Sequence, residues 1–130
     1  MGAMTEGQAG QPRLLEWIGS SKKDLMALPA GAVDVFGYAL HLAQMGDKHP
    51  QAKPLQGFGS TGVLEVVEHW HGNAYRAVYT VRYAARVFVL HVFQKKSKSG
   101  IATPKPDVDL IKTRLKAAAT RAKELEDEQA

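Results

Sequence analysis

Two periodicities divide the chain. Between Ser21 and Met45 apolar residues recur every three or four positions, the helical period, and between Val63 and Gln94 they recur about every second position, the period of strands. In the first stretch, Ser20-Ser21-Lys22-Lys23-Asp24 opens a helix, with a serine suited to the cap and Asp24 in or near the first turn. Pro29 ends this helix early, because proline has no N–H to donate and its ring collides with the preceding turn. A second helix is predicted from Ala30 to Met45. Val33, Phe36, Gly37, Leu40 and Gln44 fall at helical spacing, with Val35, Ala39 and Ala43 beside them. Gly37 would let a neighbour pack closely, Gly46 is a good cap for the carboxyl end, and Pro50 follows. The two helices read as a hairpin. Upstream, Leu14-Leu15-Glu16-Trp17-Ile18 is a candidate first strand.

Residues 53–62 read as a loop. Val63–Trp70, Tyr75–Val81 and Val87–Gln94 then read as three strands, rich in Val, Tyr, Phe and Thr. Their short connectors, 71–74 and 82–86, make neighbouring strands antiparallel. Residues 95–106 form a basic connector, and a last helix starts near Asp107 and passes Leu115, with Val108, Ile111 and Leu115 on one face. The expected fold class is α+β: an N-terminal helical hairpin packed on a small antiparallel sheet, with a C-terminal helix. One domain is expected over residues 13–120. The Gly-, Gln- and Ala-rich residues 1–12 read as a disordered segment or tag remnant, and the charged residues 121–130 as a fraying tail.

Alternation along the strands assigns faces. It places Leu64, Val66, Ala77, Tyr79, Phe88, Leu90 and Val92 against the helices. Glu65, Arg76, His91 and Lys95 then share the other face with valines.

Composition narrows the function classes. A chain of 130 residues can bury one core. It has no cysteine, which excludes disulfides and thiolate metal sites. No apolar run approaches the about 20 residues that span a bilayer, and the N-terminus lacks the apolar stretch of a signal peptide. A cytoplasmic protein without membrane contact is expected. The net charge of +4 is unevenly spread. Residues 53–105 hold 8 Lys/Arg and 2 Asp/Glu, a net of +6, while the segments on either side each carry −1. A local positive field of this kind favours a polyanion, although a solvated face kept for solubility gives the same count.

The charged face of the sheet has a chemistry of its own. An acid, a permanent cation, an imidazole and an amine are sufficient to cleave an RNA phosphodiester without a metal or cofactor. Glu65 or His91 can take the proton of the ribose 2′-hydroxyl. Arg76 can bind the charge that builds on the phosphate oxygens. Lys95 or Lys96 can serve the leaving oxygen. DNA, lacking the 2′-hydroxyl, would be spared. The plainer reading is a cross-strand Glu65–Arg76 ion pair and a structural His91. His69-Trp70-His71 offers only two metal ligands, a poor site. Gly57-Phe58-Gly59 lacks the strand-before, helix-after setting of a phosphate loop. Arg114, Lys116, Arg121 and Lys123 on the last helix read as a solvated face more than an RNA contact.

Four stretches, in this order, resemble the RelE/HigB family of toxins, most closely its phage-derived, HigB-like branch. They are Lys53-Pro54-Leu55-x-Gly57, Val63-Leu64-Glu65-Val66, Tyr75-Arg76-Ala77-Val78-Tyr79, and Val89-Leu90-His91-Val92-Phe93-Gln94-Lys95-Lys96-Ser97. The resemblance covers about residues 13 to 120. It implies a ribosome-dependent mRNA endonuclease, neutralised by a helix-turn-helix antitoxin. It assigns the scissile phosphate to Arg76 and an assisting role to Lys95 or Lys96, with Glu65 as the available base. Lys53, Arg82, Arg86 and Lys98 are then candidate RNA contacts. Relatives often carry Trp-Glu-Leu-Arg where this chain has Leu64-Glu65-Val66-Val67, so the basic residue expected at Val67 is missing, as is a tyrosine after the last strand. A ParE-like inhibitor of DNA gyrase, or a non-catalytic binding member of the same fold, is the alternative.

Overall fold

The computed structural model describes residues 11–95 and 103–129. In chain order its elements are β1 (Leu14–Trp17), α1 (Ser21–Met26), α2 (Ala30–Gln44), β2 (Lys53–Pro54), β3 (Val63–Trp70), β4 (Asn73–Thr80), β5 (Arg86–Lys95) and α3 (Lys105–Gln129). The α+β architecture is the expected one. Ser20 stands at the start of α1, but its hydroxyl donates to the Asp24 carboxylate at 2.7 Å and caps no backbone N–H. Pro29 immediately precedes α2, and its carbonyl accepts from the N–H groups of Ala32 and Val33. Gly37 does not seat a neighbour as expected: a Cβ there would meet nothing within 4 Å.

The five strands are ordered β1-β5-β4-β3-β2. β3, β4 and β5 form the expected antiparallel meander. β1 adds in parallel beside β5, so the sheet is mixed. Lys53 and Pro54, expected in a loop, pair with Glu65 and Leu64 instead. An edge strand tolerates Pro54 because no further strand needs its missing N–H.

The face assignment holds for β3 and β4 and fails for half of β5. Val78 stands opposite His91, but Tyr79 stands opposite Val89, so Leu90 is an extra residue in a β-bulge. Beyond the bulge the alternation is reversed. Val87 and Val89 therefore join Val66, Ala77, Tyr79 and Val92 in the core under α1 and α2, with Phe36, Ala39 and Leu40. Phe88 and Leu90, expected there, lie on the opposite face with Val63, Val78, Ile111 and Ala118, under α3. Each fully buried Leu, Ile or Phe in these layers contributes about 1.5–3 kcal/mol.

Arg114 locks the bulge in place. Its guanidinium donates to the Leu90 carbonyl at 2.9 Å and to the Ser20 hydroxyl at 3.1 Å. Gly19, at φ +57°, makes room for it, since a Cβ there would lie 2.9 Å from the guanidinium carbon. α3 continues through Gln129, past residue 120 where a fraying tail is expected. Buried Leu125 and the ion pairs of Arg121 with Glu124 and Glu128 accompany these last turns. Residues 1–10 of the segment expected to be disordered lie outside the described residues.

Candidate functional site

The strand register brings Glu65, Arg76, His91 and Lys95 to the α3 side of the sheet, at its β3–β4–β5 centre. Lys53, Glu65, Val78 and His91 lie abreast on successive strands. Val67, Arg76 and Phe93 form the next row, and His69, Ala74 and Lys95 the one after. Arg76 is thus diagonal to Glu65, within reach of two long side chains. Its Nη1 donates to Glu65 Oε2 at 2.9 Å and to Thr103 Oγ1 at 2.8 Å. Arg76 is only 4% exposed. A guanidinium this far from water must be neutralised and hydrogen-bonded, and Glu65 supplies the opposite charge.

His91 is buried beside this pair, its ring stacked on Phe93 at a centroid distance of 4.4 Å. Its Nε2 lies 2.8 Å from Asp107 Oδ1 in the first turn of α3. An ionised carboxylate only accepts, so Nε2 carries the hydrogen. In the neutral ring Nδ1 then keeps a lone pair, and this buried atom has no hydrogen-bond partner among the described residues. Lys95, at the end of β5, is also buried. Burial and the nearby Arg76 charge lower its ammonium pKa, while Glu65 works in the opposite direction.

The other expected contacts are not gathered here. Lys53 is exposed, directly across from Glu65. Arg82 is exposed in the β4–β5 turn at the far end of the sheet. Arg86, at that same end, is ion-paired with Glu16 at 2.9 Å. Lys96 and Lys98 lie outside the described residues. Thr103 and Asp107, which bind Arg76 and His91, are not legible in the sequence as site residues. Thr103 carries no local signal, and an acid in a first helical turn ordinarily answers the helix dipole alone. His69 and His71 are exposed around the β3–β4 turn, where the His71 ring meets Trp70 edge to face. Among the described residues no helix is long and apolar enough to cross a membrane.

An N-terminal helical hairpin packed on a small sheet, with a C-terminal helix, is the fold that the resemblance to RelE/HigB-type toxins implies. Residues 23–116 match the family described as "Phage derived protein Gp49-like (DUF891)". The chain belongs to this family, which is of the RelE/HigB toxin type. Among solved structures, a double arginine-to-alanine mutant of the E. coli toxin RelE in the free state is similar at 18% identity, over 67% of this chain and 87% of that chain, with a TM-score of 0.49. A comparison with curated proteins found no match.

Proposed function

We propose that this protein is the toxin of a toxin–antitoxin pair and cleaves mRNA on the translating ribosome, in the cytoplasm, until a cognate antitoxin neutralises it. The observation that carries this reading is the Arg76–Glu65 pair at 2.9 Å, with His91 and Lys95 on the same face of the sheet. Glu65 or the His91 Nδ1 lone pair takes the 2′-hydroxyl proton. The 2′-oxygen bonds to phosphorus, the bond from phosphorus to the 5′-oxygen breaks, and that oxygen leaves with a proton from Lys95 or Lys96. The products are a 2′,3′-cyclic phosphate and a 5′-hydroxyl. An ammonium held below the usual lysine range gives up its proton more readily, which suits Lys95 to the last step.

Arg76 binds the phosphate oxygens in this scheme. An incoming phosphate replaces Thr103 Oγ1 and competes with Glu65 for the guanidinium, and Glu65, released from its ion pair, becomes available as a base. Expression in bacteria tests the assignment. Wild type is expected to cleave cellular mRNA and arrest growth. Arg76→Ala, shown to be folded by circular dichroism, is expected to leave mRNA intact and growth unaffected; a folded but toxic Arg76→Ala protein refutes the assignment. One observation favours the non-catalytic alternative: Arg76 is buried and already neutralised. Intact mRNA with failing DNA supercoiling in the wild-type strain would support a gyrase inhibitor instead.

A further inference from the structure

Asp107 has no part in the cleavage scheme, yet it holds one of the two groups that could act as the base. It lies in the first turn of α3, where an acid ordinarily answers the helix dipole. Its Oδ1 also reaches the sheet, 2.8 Å from Nε2 of His91. Phe93, two residues along β5, stacks on the same ring with the planes 13° apart. The bond from α3 and the stack from β5 together fix an imidazole that is only 7% exposed. With the Nε2 hydrogen committed to the carboxylate, the lone pair of the neutral ring falls on Nδ1. That atom is buried and has no hydrogen-bond partner among the described residues. Unpartnered buried polar atoms are few in native proteins, and a catalytic role is one reason to keep one. Glu65, the other candidate base, is already ion-paired with Arg76.

Val78 stands opposite His91 and Arg76 opposite Phe93, so Arg76 and His91 are diagonal neighbours on one face of the sheet, about 7–8 Å apart between backbones. A phosphate on Arg76 and a ribose hydroxyl on Nδ1 suit that spacing as two parts of one nucleotide linkage. We infer that His91 Nδ1 is the general base and that Asp107 is its positioning residue, holding the imidazole in the tautomer that leaves Nδ1 able to accept. The inference rests on the RNA-cleaving reading of the site. The 2′-hydroxyl proton passes to Nδ1 and the 2′-oxygen bonds to phosphorus. The bond to the 5′-oxygen breaks, and that oxygen leaves with a proton from Lys95 or Lys96. The Asp107 carboxylate faces the imidazolium so formed. Nδ1 is covered in the free protein, and displacement of Thr103 from Arg76 by the entering phosphate uncovers it. Without the Asp107 carboxylate the neutral ring divides between two tautomers, and the one with hydrogen on Nδ1 has no lone pair to offer there.

Two readouts test the pair, one of them independent of cleavage. Ring-nitrogen NMR of isotope-labelled full-length protein reads the tautomer of neutral His91 directly, its signals identified by their loss in His91→Gln. Wild type is expected to show one tautomer, with the hydrogen on Nε2, and Asp107→Asn to lose that preference. The second readout is single-turnover cleavage on programmed ribosomes. His91→Gln leaves an amide N–H able to donate to Asp107, so the start of α3 stays anchored while the Nδ1 base is gone. It is expected to slow the cleavage step by about 10²–10⁴-fold. Asp107→Asn is expected to slow it by up to about 10⁴-fold. Neither should change the half-saturating ribosome concentration. Hydrogen on Nδ1 in the wild-type protein overturns the inference, as does a wild-type cleavage rate in either folded variant. A loss in Asp107→Asn confined to ribosome binding also overturns it, by making Asp107 a structural anchor alone. If Asp107→Asn fails to fold, the wild-type tautomer and the His91→Gln rate decide. Wild-type protein that leaves ribosome-bound mRNA intact refutes the nuclease reading and the base assignment with it, whereas a wild type that cuts beside equally fast variants refutes the assignment alone.

Discussion

Removing the Glu65 charge, removing the Arg76 charge, and removing both should have effects on stability that do not add. Arg76 and Glu65 side chains are 5% and 17% exposed and 2.9 Å apart. Deleting one partner of a buried pair leaves the other charge without its counter-ion, at a cost of about 3–5 kcal/mol. Arg76→Met should approach that range, since it strands the Glu65 carboxylate against the sheet. Glu65→Gln should cost less, about 1–3 kcal/mol, because the amide oxygen still accepts from Nη1 and Thr103 Oγ1 remains a second acceptor. In the double variant neither charge is left buried, so its cost should fall short of the sum by about 1–3 kcal/mol. Urea unfolding of the four proteins at pH 7 gives the coupling, provided the m-values agree. Additivity within about 0.5 kcal/mol would refute the claim that each charge exists to neutralise the other. The same series bears on function. If the double variant is stable but inactive, loss of activity on Arg76 substitution cannot be attributed to unfolding.

Other consequences are sharper than the general stability of the fold. Tyr79 is fully buried, its hydroxyl has no hydrogen-bond partner among the described residues, and burial pushes its pKa up to about 12. Below about pH 10 both folded and unfolded chains hold the proton; between about pH 10 and 12 only the unfolded chain releases it, so stability falls with rising pH, by roughly 2–3 kcal/mol. Tyr79→Phe should remove that alkaline loss and be neutral or stabilising by about 1 kcal/mol at pH 7, and an unchanged difference between pH 8 and pH 12 would contradict the burial argument. The two glycines Gly37 and Gly62 should respond oppositely to alanine. Gly37→Ala, with open space and a helical backbone, should stabilise by about 0.5–1 kcal/mol. Gly62→Ala, at φ +72° and with its Cβ 3.0 Å from the Arg82 backbone nitrogen, should cost about 1–3 kcal/mol in thermal or urea unfolding.

Local signals in the sequence are sufficient for every element but β2 and insufficient for their exact contacts. Pro29 and Gly46 bound α2 because proline and glycine act on the backbone of their own neighbourhood. The same alternation rule that puts Glu65, Arg76, His91 and Lys95 on one face misplaces Phe88 and Leu90. A bulge adds one residue without any mark in composition, and everything before Leu90 changes side. β2 escapes a reading by period because two residues are too few to show one. Asp107 and Thr103 escape as site residues because their partners lie 16 and 27 positions away in sequence, and only the packing of α3 over the sheet brings them together. That packing also changes the meaning of the site: Arg76 and His91, which read from sequence as part of an open charged face, are in the folded chain paired with Glu65 and Asp107, and both are buried, as is Lys95.

The central claim is that this face cleaves RNA through the ribose 2′-hydroxyl. Its most direct test is a ribosome programmed with two versions of one message, differing only in a 2′-deoxy substitution at the nucleotide where wild-type protein cuts. The account predicts cleavage of the all-ribose message to a 2′,3′-cyclic phosphate and no cut at the deoxy position. Cleavage of the deoxy message at that position, or no cleavage of either by folded protein, would contradict it.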